Sequence, residues 1–119
     1  MFRVQAMIWN PQDISKNARV EVSVDTGSTY TVLPSSILYS LGIKSVRTVN
    51  LRLADGRVLE KPLGEVGIEV GGVKATATPV IFGEEDVHLL GSVTMEQLGL
   101  APDPIQKRLK PVEALLMTF

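Results

Sequence analysis

The segment Arg19-Val20-Glu21-Val22-Ser23-Val24 sets a valine at every second position, and this alternation is the strongest constraint on the fold. On a strand it turns all three valines to one face and Arg19, Glu21 and Ser23 to the other; on a helix it would scatter them. Branched side chains also suit a pleated, half-buried surface. Similar runs recur along the chain, separated by turn signals. Phe2 to Trp9 alternates loosely and stops at Asn10-Pro11-Gln12-Asp13, a turn by composition. Tyr30-Thr31-Val32-Leu33 reads as a strand ended by Pro34, and Ser35 to Leu41 as a short helix closed by Gly42. Val49 to Leu53 and Val58-Leu59 flank Ala54-Asp55-Gly56-Arg57, and an Asp-Gly pair between such runs predicts a hairpin. Val66 to Val70 and Val73 to Phe82, joined by Gly71-Gly72, predict a second hairpin. Val87 to Leu90 reads as a short buried strand that exits at Gly91. Ser92 to Leu98 is the most convincing helix, with Thr94 and Gln97 spaced like a capping box. Pro102-Asp103-Pro104 predicts a turn, and Leu109 to Phe119 a last strand that Pro111 assigns to an edge.

Composition narrows the function classes. With aromatics at 5% of 119 residues the core must come from Val, Leu and Ile, within one soluble domain spanning 1–119. Twelve basic and thirteen acidic residues are interspersed for a net charge of −1, which argues against nucleic acid or an anionic membrane as partner. Lys107-Arg108 to Lys110 and Glu84-Glu85-Asp86 read as solvated turns, and Trp9 as core or interface. Cysteine is absent, which removes disulfides, thiolate nucleophiles and thiolate metal sites. One histidine with scattered acids makes no metal site, so no cofactor is expected; His88 itself reads as a strand histidine satisfied by hydrogen bonding. Ser28 and Ser92 have no His/Asp constellation for serine hydrolase chemistry. No apolar leader or spanning segment is present, and a cytoplasmic location is the default expectation.

Two features carry the chemistry. The valine strand runs straight into Asp25-Thr26-Gly27-Ser28. A carboxylate at a strand end, followed by a hydroxyl and a glycine, permits a tight turn whose backbone N–H groups point at that carboxylate, with the Ser28 Oγ a further donor. Thr26 can bond away from the site and lock the loop. On its own, the triplet is equally readable as an Asx-turn closing a strand. The second feature is Leu89-Leu90-Gly91, opening the predicted helix.

In this order, with a hairpin between, these features resemble the retropepsin-like aspartic proteases, especially the small single-domain prokaryotic group, over roughly residues 2 to 112. The resemblance implies an all-β, retropepsin-like closed barrel of the acid-protease type, with a flap hairpin and one short C-terminal helix. It makes Asp25 the catalytic aspartate. Thr26, Gly27, Ser28, Leu89, Leu90 and Gly91 become its support, with the Thr26 hydroxyl reaching a partner chain's loop. Ala54, Asp55, Gly56 and Arg57 become the flap that grips a peptide substrate. Such enzymes need two carboxylates, and Asp13, Asp55, Asp86 and Asp103 are not followed by Ser/Thr-Gly. The implied partner is therefore a second copy of the chain, in a two-fold homodimer. The flap turn departs from retroviral ones, with one glycine between charged neighbours, and the tail from Ile105 is longer. Leu109, Val112, Leu115, Leu116 and Met117 are candidates either for the dimer interface or for an intrachain edge strand. Two other readings compete with a peptidase: a catalytically inactive retropepsin-like dimerisation or peptide-binding module, and a β-barrel binding domain in which Asp25 only caps a turn.

Overall fold

The valine run is the second half of a longer strand, because its partner is long too. In the structure, a computed structural model that describes residues 1–116, β1 (Arg3–Asn10) turns at Pro11-Gln12 and pairs antiparallel with β2 (Asp13–Val24). Val20, Val22 and Val24 are buried, as the alternation requires. There follow β3 (Thr31–Pro34), α1 (Ser35–Ser40), β4 (Arg47–Arg52), β5 (Val58–Val70), β6 (Val73–Gly83), β7 (Leu89–Leu90), α2 (Ser92–Leu98), β8 (Leu100–Asp103) and β9 (Arg108–Pro111). The protein is all-β, with two short helices where the resemblance implied one.

Seven strands form one sheet in the order β1-β2-β7-β3-β6-β5-β4, and β1 also pairs with β5. Hydrogen bonding thus runs round a ring, with β4 attached outside it on β5. Ile8, Leu33, Leu38, Val66, Ile68, Val80 and Leu90 fill the interior with almost no exposed surface. Val49, Leu63 and Ile81 make a smaller cluster beside the main core, packed by Tyr30, Val32 and Leu51.

Three sequence expectations change. The strands read separately at 58–59 and 66–70 are one, β5, which pairs with β4 over 58–63 and with β6 over 63–70. Pro62 does not break it because β5 has only β4 as neighbour there, so no second ladder needs its missing N–H. The register shifts between Val66 and Ile68, where Gly67 lies under the Trp9 indole; any side chain there would occupy the ring's place. Pro102-Asp103 belongs to β8 and not to a turn, since a two-stranded ribbon with β9 tolerates proline. The final strand is short: it ends at Pro111, residues 112–116 are exposed without regular structure, and Met117 to Phe119 lie outside the described residues.

Candidate active site

Asp25 follows the last residue of β2 and is held by what it cannot avoid bonding. Its backbone N–H donates to Leu90 O at 3.1 Å, extending the parallel β2–β7 pairing by one step. The chain then turns: Ser28 N–H donates to Asp25 O at 3.2 Å, and Gly27 N–H donates to the carboxylate Oδ1 at 2.9 Å. Two further backbone bonds, Ser92 N–H to Ser28 O at 2.8 Å and Val93 N–H to Thr29 O at 3.0 Å, join the loop to the start of α2. The loop that carries the carboxylate is therefore clamped by residues 90–93 and does not rely on its own hydroxyls. Ser28 is a correction: its Oγ donates to Tyr30 O at 2.7 Å rather than to the carboxylate. Thr26 is exposed, and among the described residues its hydroxyl does not lock the loop.

Gly91 makes that clamp possible. A Cβ there would run into the Tyr30 carbonyl and the Thr31 nitrogen, backbone atoms that cannot swing aside. Beneath it lies a buried group that sequence reasoning missed. Thr94 Oγ1 bonds Thr31 Oγ1 at 2.6 Å and Thr78 Oγ1 at 2.7 Å, and Gly91 N–H donates to Thr31 Oγ1 at 3.1 Å. All three threonines are fully buried. These hydroxyls tie α2 to β3 and β6 directly under the loop. The capping-box expectation fails for the same reason: the N-cap is Gly91 without a side-chain bond, the Thr94 hydroxyl is spent inside, and Gln97 donates to Ala77 O. No local spacing signals such a network, since its partners lie far apart in sequence.

Strand pairing also fixes what lies next to Asp25. Arg3 pairs with Ser23, Ser23 with Leu89, and Leu89 with Val32. Directly paired residues share a face, so these four make a row across β1, β2, β7 and β3. Ser23, Leu89 and Val32 are half-buried, whereas Val22, Val24, Leu33 and Leu90 on the opposite face are buried. Asp25, two residues beyond Ser23, continues the row's outer face. A cavity of about 310 Å³ adjoins Asp25 and Thr26, walled by Met1, Phe2, Pro102 and Lys107.

The 54–57 turn sits at the end of the β4–β5 hairpin, exposed throughout. Arg57 N–H donates to Asp55 Oδ1 at 3.0 Å and Arg57 Nε to Oδ2 at 2.7 Å. The backbone bond first, then the guanidinium bond, holds the Asp55 carboxyl below its ordinary range. Val87 and His88 stand outside the regular strand, although Ser23 N–H donates to His88 O. Contrary to expectation the His88 side chain is not satisfied: its Nδ1 is buried with no hydrogen-bond partner among the described residues. Among the described residues no group of three His, Asp or Glu is placed to hold a metal, and no helix is long and apolar enough to cross a membrane.

An all-β ring that presents an Asp-Thr-Gly loop, buttressed by an apolar-apolar-glycine segment, defines an architecture of the acid-protease class. A family model described as aspartyl protease matches residues 11–100, and the chain belongs to that family. The match spans the Asp25 loop, the β4–β5 hairpin and Leu89-Leu90-Gly91, and it supports an aspartic-protease role. No curated protein matched the chain in a sequence search.

Proposed function

We propose that the protein is an aspartic endopeptidase that works as a homodimer, with Asp25 of each chain facing the other across a two-fold axis. The observation that carries this reading is the long-range clamp on the loop: Asp25 N–H donates to Leu90 O at 3.1 Å, and Ser92 and Val93 N–H donate to Ser28 O and Thr29 O at 2.8 and 3.0 Å, more bracing than the Asx-turn bond from Gly27 N–H alone would give. An orientation fixed before substrate arrives is what positioned acid–base catalysis needs. The chain has one Asp-Thr-Gly, so the second carboxylate must come from a second copy, and two-fold symmetry makes the two loops equivalent.

In the mechanism, one ionised Asp25 removes a proton from a water held between the carboxylates. The resulting hydroxide-like oxygen attacks the peptide carbonyl, which the protonated partner aspartate polarises; that proton then assists departure of the amine. Like charges that close do not both ionise, as the paired aspartates of this enzyme class illustrate, and activity should pass through a maximum on the pH axis. Thr26 braces the partner's loop, Leu89, Leu90 and Gly91 support the aspartate, and Ala54 to Arg57 form the tip of the flap over a bound peptide. Asp25→Asn keeps the oxygen that accepts from Gly27 but cannot act as base. Peptidase activity should fall by roughly 10²-fold or more, while sedimentation still reports the dimer. Equal cleavage of a peptide library by both proteins would refute the assignment.

A further inference from the structure

We propose that a second cavity, on the outer face of β2 and β7 at Ser23 and Leu89, is a subsite for a basic side chain, so that the enzyme prefers peptides with lysine or arginine flanking the scissile bond. This rests on the peptidase reading above and adds its substrate class. The cavity, about 450 Å³, is lined by Arg3, Glu21, Ser23, Asp86, His88 and Leu89. Its position follows from the pairing already described: Ser23 and Leu89 line it, and Asp25 lies two residues beyond Ser23, just past the end of β2, about 7 Å at strand rise. An extended peptide crossing the carboxylate has the same spacing, so a side chain close to the cleaved bond falls into it.

The lining then selects. Arg3 is the one cation there, and it is already engaged: its Nη1 lies 3.3 Å from Glu21 Oε1, while Gln5 Nε2 takes the other Glu21 oxygen at 3.1 Å. Arg3 and Glu21 cancel. Asp86 forms no ion pair among the described residues, which leaves the cavity one net negative charge. Leu89 supplies apolar surface beneath. Apolar floor and anionic wall together match a methylene stem that ends in a cation. By symmetry each chain offers one such subsite, one on either side of the bond.

The test compares matched peptides that carry lysine, norleucine or glutamate next to a single cleavable bond. Wild type should cleave the lysine peptide with kcat/KM about tenfold above norleucine, and the margin should shrink at high salt. Asp86→Lys should abolish or invert that order. The same peptides, titrated against the Asp25→Asn protein by fluorescence anisotropy, read the preference without turnover. Cleavage with no lysine preference, or preference for glutamate, overturns the subsite and leaves the peptidase. Lysine-selective binding that depends on Asp86, with no cleavage by wild type, overturns the peptidase and upholds the subsite.

Discussion

Thr94 carries more of the site than its distance from the chemistry suggests. Its hydroxyl is the middle member of a buried chain of three, and through Thr31 that chain reaches the Gly91 amide. Replacing it with isosteric valine fills the same volume but strands the Thr31 and Thr78 hydroxyls away from water. Thr94→Val should therefore cost about 1–3 kcal/mol, measured by urea unfolding, and activity should fall further than stability because the loop over Gly91 loosens. A loss within a few tenths of a kcal/mol would mean that the network does not matter. At this scale the sequence was informative about chemistry and poor about contacts. Asp25, Thr26 and Gly27 announce themselves because the triplet is local and follows a strand. The threonine network and the Ser28 bond to Tyr30 O are settled by packing between distant segments, and no spacing rule addresses them.

Among the elements, β5 links the 54–57 hairpin and the ring. Its first half is one arm of the hairpin, paired with β4, and its second half closes the ring onto β6 and β1. The hairpin turn was legible from Ala54-Asp55-Gly56-Arg57, but the continuity of β5 was not: 58–59 and 66–70 read as separate strands, and only the absence of a second neighbour beside Pro62 lets one strand run through it. The turn also has a titration signature. The Asp55 carboxyl is held below its ordinary range by the Arg57 amide and then the guanidinium. A carboxyl lowered by folding contributes above its unfolded value, near 3.9, and loses that contribution as pH falls through the lower folded value. The turn should thus stay tied through the mildly acidic range. The Arg57 amide resonance should shift only below about pH 4, and Asp55→Asn should erase that shift. A midpoint at or above the ordinary value would show that the contact does not persist in solution.

For the whole molecule, the deciding contrast is between a ring that one chain completes and a proposed site that it does not. Each ring pairing in the sheet is made within one chain, yet the carboxylates come one per chain. The C-terminal strand, open from the sequence to either an interface or an intrachain role, pairs with β8 in its own chain over Arg108–Pro111. Val112, Leu115 and Leu116 beyond it remain exposed. Whatever joins two copies therefore adds to a ring that already stands, and exchange of chains between dimers should be possible without unfolding. This gives a test of shared catalysis. When wild-type and Asp25→Asn chains are mixed in equal amounts and allowed to exchange, about a quarter of the dimers carry two intact aspartates. Activity per wild-type chain should then fall to about half and continue to fall as the variant is added in excess. Dilution towards the dissociation constant should lower the specific activity of wild type in the same way, with sedimentation showing the matching loss of dimer. Activity per wild-type chain that stays constant under both treatments would mean that one chain suffices, and the site would have to be completed by a group other than a second Asp25.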